Sequence, residues 1–376
     1  MTVEIKSGLE GVAVSKSTIC VIDGESGTLG YRGINIGQFA DHSTYEETIY
    51  LLWYGKLPTQ SELDAFKAKL VFERDVNGSI WEILQCLPCR SQPMEALRTV
   101  VSALCAYDPD ADSYDTQANL NKAVRLTVRM PIVVANYFHL LNGSEPVHQN
   151  PALDHAANLL YMLHGSEASA TQVRALELAM ILMADHGFNA STFAARVTAS
   201  TLSDLYSAIT TAIGTLKGPL HGGANQRAME MLLEIGSADR VDSCLDAALA
   251  AKKRIMGFGH RVYRKCADPR SAYLKAMLYK LCEERGDMHW YDLATRVAQA
   301  VEAKKGLYPN VDFFAAPLLY LVGIPLDLFT PVFALSRIAG WTTHIMEQYE
   351  HNRLVRPVCA YVGPRNAPYV PIAERK

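Results

Sequence analysis

No run in this chain approaches the roughly 18 uninterrupted apolar residues that a membrane-crossing helix needs. The opening stretch MTVEIKSGLEGVAVSKS lacks a basic segment followed by an apolar one, so neither a leader nor an anchor is expected. Charge of one sign is missing too: 36 basic and 39 acidic residues are interspersed, for a formal net charge of −3. That removes the electrostatic case for nucleic acid or an anionic membrane as partner. Cysteine is too sparse for a disulfide scaffold, with eight thiols in 376 residues, and reduced thiols in a soluble, cytoplasmic protein are expected. Cys86-Leu-Pro-Cys89 has C-x-x-C spacing, but no second pair completes a tetrahedron, so no metal is expected. The absence of a repeat with a period of about 20–50 residues excludes a solenoid. What is present, 49% hydrophobic and 20% charged residues, describes a globular chain whose length suggests about two domains.

Strand signals are confined to the start. Thr18–Ile22 and Thr28–Arg32 flank Asp23-Gly24-Glu25-Ser26-Gly27 and read as a β-hairpin. Beyond it the periodicity is helical. Ser43-Thr44-Tyr45-Glu46 and Thr59-Gln60-Ser61-Glu62 read as capping boxes, with Gly55 and Pro58 between them. Apolar-periodic segments follow around 95–106, 121–141, 152–163 and 172–185, and Ser203 is expected to cap a helix running towards Lys217. Past residue 236 the chain turns more charged, with shorter helices expected at 241–251 and 271–284.

Four stretches carry chemistry. GPLHGGAN sets His221 beside Gly222 and Gly223, which could let a group approach the imidazole; Asn225 is the expected cap of the helix that Gly236 ends. An ordinary helix–loop–helix turn with an incidental histidine reads equally well. Asp185-His186-Gly187-Phe188-Asn189 ends an apolar helix, where the macrodipole favours a protonated His186 and a simple C-terminal cap is the alternative. MGFGHRVYRKCADPR, residues 256–270, sets Gly257 and Gly259 beside His260 and adds Arg261, Arg264, Lys265 and Arg270. Such a loop suits carboxylate or phosphate groups, against the alternative of a solvated basic loop. In YPNVDFFAAP, Asp312 is the lone acidic residue of an apolar run; burial would raise its pKa and suit a general base, whereas an exposed Asp312 would cap the next helix.

At this order and spacing GPLHGGAN, GFGHRVYRKCADPR and PNVDFF resemble the citrate synthase family. DHGFNAST, ALSRIAGW, RLVRP and TYEETIYLLWYGKLP extend the resemblance across essentially the whole chain. It implies a mainly α, two-domain helical fold with the short N-terminal hairpin: a large domain from 1–222 and 329–376 and a small domain at 223–328. It also implies an acyltransferase that condenses acetyl-CoA with oxaloacetate, Asp312 being the base, His221 the donor to the thioester oxygen and His260 the donor to the ketone. His186, Arg270, Arg337 and Arg356 match oxaloacetate contacts, and Arg264 matches a coenzyme A phosphate contact. No separate cofactor is implied, since the thioester is a substrate. A compact homodimer is implied, with Arg356 donated across its interface. Ala315 stands where many relatives carry Ser, and propionyl-CoA, giving 2-methylcitrate, is the alternative substrate. A non-catalytic CoA-binding or helical scaffold protein is the reading of another class.

Overall fold

A computed structural model describes residues 5–375. Strands β1 (Cys20–Asp23), β2 (Thr28–Tyr31) and β3 (Ile34–Asn35) form an antiparallel sheet in that order, Cys20 facing Tyr31 and Gly30 facing Asn35. The hairpin therefore gains a third strand, whose two residues are too short for a periodic signal. The helices that follow are α1 (Ile36–His42), α2 (Tyr45–Tyr54), α3 (Gln60–Phe72), α4 (Gly78–Gln85), α5 (Pro93–Leu104), α6 (Thr116–Leu141), α7 (His155–His164) and α8 (Ala170–Met183). After them come α9 (Ala190–Ala199), α10 (Leu205–Leu216), α11 (Ala224–Ile235), α12 (Val241–Ala250), α13 (Pro269–Arg285), α14 (His289–Lys305), α15 (Val311–Leu321) and α16 (Phe329–Glu350).

Helix starts follow cap chemistry, with shifts of a residue. The Thr59–Glu62 capping box forms as expected. At α2 only half of one forms: Thr44 accepts the Glu47 N–H, while Glu46 is buried and accepts the His155 N–H at 2.8 Å. Asp204, not Ser203, caps α10. Helix α12 is short, with 10 residues close to the expected 241–251, whereas α13, close to the expected 271–284, and α14 run for 17 residues each.

Two helices set the frame for the site. Of the 22 residues of α16, 18 are buried, and an all-round buried helix is a core element. It packs on α2, α6, α8, α9 and α10. Its contact with the end of α8 is backbone to backbone: the Gly340 N–H donates to the Ala184 carbonyl at 3.1 Å, and a Cβ on Gly340 would stand 2.4 Å from that oxygen. Overpacking of this kind costs about 1–3 kcal/mol, so glycine is required there. The same approach lets Arg337, three residues earlier, donate from Nε to the Met183 carbonyl at 2.6 Å. Helices α11 to α15 form a second packed group, α15 resting on α11, α13 and α14, and α12 on α14. It meets the first group chiefly where α13 and α15 touch α8, where α13 touches α1 and where α11 touches α16. No helix among the described residues is long and apolar enough to cross a membrane.

Candidate active site

His221 lies in the turn between α10 and α11. Neither Gly222 nor Gly223 takes a positive φ. Gly222 instead closes the turn: its N–H donates to the Leu216 carbonyl at 2.8 Å, and a Cβ would stand 2.4 Å from that oxygen. The close approach is therefore to the end of α10 and not to the imidazole. Asn225 is no cap either, since Gly223 holds that position; Asn225 is buried in the first turn and donates to the Phe329 carbonyl at 3.3 Å. The His221 ring is anchored at Nε2, which receives the Ser191 backbone N–H at 3.3 Å and lies 2.8 Å from Ser191 Oγ. Trp341 Nε1 donates to that hydroxyl oxygen at 3.1 Å. A backbone N–H can only donate, so Nε2 accepts and Nδ1 carries the ring proton. Burial, aided by the Arg337 charge, pushes the His221 pKa down to about 4, so the imidazole is neutral at pH 7.

His260 is held by the mirror arrangement. Its Nδ1 accepts the backbone N–H groups of Val262 and Tyr263 at 3.0 and 3.3 Å, which leaves the proton on Nε2. Burial and then the Arg270 charge push it down to about 4. The preceding loop is pinned to the approach of α15: the Asn310 N–H donates to the Gly257 carbonyl at 2.9 Å, the Gly259 N–H to Tyr308 at 3.0 Å, and Asn310 Nδ2 to Gly259 at 3.0 Å. His186, just past the end of α8, lies 5.1 Å from His260 ring to ring, with Nε2 3.2 Å from the Tyr263 hydroxyl. Burial first, and then the positive charge of Arg270, holds His186 well below the usual imidazole range. The protonated His186 expected from the helix dipole is thus overturned, because a partial charge at a helix end cannot offset desolvation beside two guanidinium groups.

Arg270 and Arg337 are both 2% exposed. Asp268 grips Arg270 through Nε at 2.9 Å and Nη2 at 2.7 Å, and Arg337 lies 4.9 Å over the Phe333 ring. A solvated basic loop is excluded for Arg270; Arg264 and Lys265, by contrast, are exposed and face Glu10 and Glu25. Asp312 is not the cap of α15, because Asn310 is, accepting the Asp312 N–H at 3.0 Å. Asp312 is half-buried, and its Oδ1, which is fully buried, has no hydrogen-bond partner among the described residues. Burial pushes its pKa up to about 7, against the opposing pull of Arg270 and Arg337.

The fold thus gathers His186, His221, His260, Arg270, Asp312 and Arg337 into one electrostatically coupled cluster. Arg264 stands outside it, paired with Glu10. Arg356 is exposed on the segment without regular secondary structure after α16 and makes no hydrogen bond or ion pair with the cluster among the described residues. Sequence reading passed over Ser191, Tyr263 and Asp268 as partners. Only Asp268 had a local signal, an Asp-Pro at a helix start. Cys86 and Cys89 are exposed free thiols, and no group of three metal-ligating side chains occurs among the described residues. A cavity of about 690 Å³ borders the His221 turn, lined by Met94, Lys217, Gly218 and Arg227, but none of the three histidines nor Asp312 lines it. The coupled cluster, and not the larger void, holds the reactive groups.

Comparison with known proteins identifies the family. The family model for the citrate synthase C-terminal domain matches residues 8–358. The chain is 47% identical over 380 residues to a citrate synthase of Haloferax volcanii, covering all of both chains. It is 43% identical over 360 residues to a 2-methylcitrate synthase of Mycobacterium tuberculosis, covering 96% of this chain and 91% of the relative. A citrate synthase of Thermoplasma acidophilum, solved in ternary complex with carboxymethyl coenzyme A and oxaloacetate, superposes with a TM-score of 0.93 at 35% identity, covering 99% of this chain and all of the other. With matches of this extent in sequence and in structure, the chain belongs to the citrate synthase family.

Proposed function

We propose that this chain condenses acetyl-CoA with oxaloacetate and water to give citrate and free coenzyme A. The observation that carries the reading is the half-buried Asp312, whose Oδ1 is buried without a partner and whose pKa is pushed up to about 7 against the pull of two guanidinium groups. A thioester methyl is a weak carbon acid, and a base of that pKa is matched to take its proton near neutrality, an effect worth about 10²–10⁴-fold. His221, neutral with its proton on Nδ1, donates to the thioester oxygen as the enol forms. The enol carbon then attacks the oxaloacetate ketone, and His260 donates from Nε2 to the developing alkoxide. A positioned donor of this kind contributes on the order of 10²–10³-fold. Arg270 and Arg337, with His186, hold the two carboxylates; Arg264 binds a coenzyme A phosphate after leaving Glu10. Water finally cleaves the citryl thioester, releasing the thiol. No further cofactor is needed.

Residues 223–328 form the small domain in this reading, closing over substrate against the large one. The chain works in the cytoplasm as a homodimer. An exposed Arg356 outside regular secondary structure suits donation to the neighbouring subunit, and mixing tests this. Asp312→Ala and Arg356→Ala variants, each nearly inactive alone, should recover roughly a quarter of wild-type activity after random subunit exchange, because half the dimers then hold one intact site. No recovery despite verified exchange would return Arg356 to its own chain.

The kinship with 2-methylcitrate synthases keeps propionyl-CoA as the second reading. One methylene in an apolar pocket changes selectivity by roughly 10–200-fold, a gap that a few side chains can reverse. The ratio of kcat/KM for acetyl-CoA to that for propionyl-CoA is expected above one. A ratio well below one would make propionyl-CoA the substrate, and release of coenzyme A from neither would remove the enzymatic reading.

A further inference from the structure

Tyr263 touches both substrate-facing imidazoles, and by two different groups. Its backbone N–H donates to His260 Nδ1 at 3.3 Å, and its hydroxyl lies 3.2 Å from His186 Nε2. The three rings close on one another, with centroids 4.8 Å apart for His260 and Tyr263, 5.7 Å for His186 and Tyr263, and 5.1 Å for the two histidines. Tyr263 is 3% exposed, so its hydroxyl proton must find an acceptor inside the protein. His186 Nε2 is the only side-chain or backbone acceptor within hydrogen-bond distance of it among the described residues. Were His186 to carry its proton on Nε2, two hydrogens would compete for that one contact and the phenol would be left unsatisfied. With Tyr263 donating, the phenol hydrogen has its acceptor and the His186 proton sits on Nδ1.

We propose that Tyr263 is a positioning residue for this site: its hydroxyl holds His186 as the Nδ1–H tautomer while its N–H and ring hold His260 as the Nε2–H tautomer. With the Val262 N–H as the second donor to His260 Nδ1, Tyr263 thereby shares in setting the direction in which each of the two imidazoles offers its single N–H. The inference rests on the reaction proposed above, because it assigns the orienting group for the oxaloacetate subsite of that reaction. A phenol is well suited to this task. It stays neutral, since burial raises its pKa, so it brings no negative charge to compete with a dicarboxylate for the arginines.

The test combines a substrate-free readout with kinetics. In protein labelled with ¹⁵N-histidine, with the His186 signals identified by their loss in His186→Gln, wild type should show Nδ1 protonated and Nε2 as a hydrogen-bonded acceptor. Tyr263→Phe keeps the ring against His260 and removes only the hydroxyl. It should shift the His186 Nε2 signal, leave the His260 signals in place and raise the KM for oxaloacetate by roughly three- to tenfold, the scale of one buried hydrogen bond, with a smaller fall in kcat. A proton on His186 Nε2 in wild type overturns the proposal whatever the variant does. So does a Tyr263→Phe protein that melts early but keeps the wild-type KM and His186 signals, since that is a packing role. If the ¹⁵N signals move as expected but neither thioester is condensed, the positioning role stands and the proposed reaction is the part that fails.

Discussion

Asp268 is buried and Asp312 half-buried with its Oδ1 out of reach of water, both lie at the start of a helix and both feel Arg270, yet they end in opposite states. Burial raises the pKa of each. At Asp268 the Arg270 charge and hydrogen bonds outweigh burial, and the carboxyl sits below its ordinary value. Its oxygens accept Arg270 N–H, Nε and Nη2 and also the Val311 N–H at 3.1 Å. At Asp312 burial wins, because the donors that could have met it are spent elsewhere. The Val311 N–H goes to Asp268 and the Asp312 N–H goes to the Asn310 cap. The difference shows how one pocket makes a structural anion and a titratable base from the same side chain: the distribution of N–H donors at the first turn of α15 decides which is which.

The strongest way to break this comparison is Asp312→Asn, expected to lower turnover by roughly 10²–10⁴-fold while the fold is kept. Its stability should depend on pH in a defined way. The folded pKa of about 7 lies above the unfolded carboxyl value. The stability Asp312 contributes is therefore fully present below the unfolded value and is lost as pH rises through about 7. Urea denaturation from pH 4 to 8 should thus show Asp312→Asn gaining on wild type as pH rises. A variant with near-full turnover and lower stability at every pH would make Asp312 structural.

Asp268→Asn should do the reverse, leaving Arg270 as an unpaired buried charge at a cost of about 3–5 kcal/mol in urea denaturation at pH 7. Here the wild-type contribution is present above the unfolded carboxyl pKa and is lost as pH falls through the depressed folded value, so the two proteins should converge in acid. A loss under about 1 kcal/mol would mean that Arg270 finds another partner.

The smallest effect sharpens the comparison. Asn310→Ala removes a cap worth about 0.5–2 kcal/mol and frees the Asp312 N–H. The acid limb of the kcat/KM profile, expected near pH 7 in wild type, should then move to lower pH as donors become available to the carboxylate. An unmoved limb would assign the raised pKa to burial alone.

Much of this was legible locally. Strand-forming residues and a turn cluster marked the hairpin, capping residues marked the start of α3 and, to within a residue, those of α2 and α10, and the apolar run around Asp312 singled that residue out while leaving base and helix cap both open. The readings that failed were those in which a local signal met a tertiary competitor. Asn225 has cap chemistry but turns inward to the Phe329 carbonyl, Glu46 leaves a capping box for the His155 N–H, and the Gly222 backbone closes on Leu216. The helix-end charge rule failed at His186 for the same reason, since burial beside Arg270 outweighs a partial dipole.

By itself the sequence determined which residue types were available and how far each segment could run as helix, since periodicity, caps and glycine breaks act over a few residues. It also carried, in the order of its motifs, the family. Only the tertiary structure decided the protonation chemistry. Ser191 meets His221 across 30 positions, Tyr263 meets His186 across 77, and Asp268 takes the Val311 N–H across 43. Tautomers and pKa values depend on the nearest donors, charges and water, and chain folding brings these neighbours together from distances at which no local pattern operates.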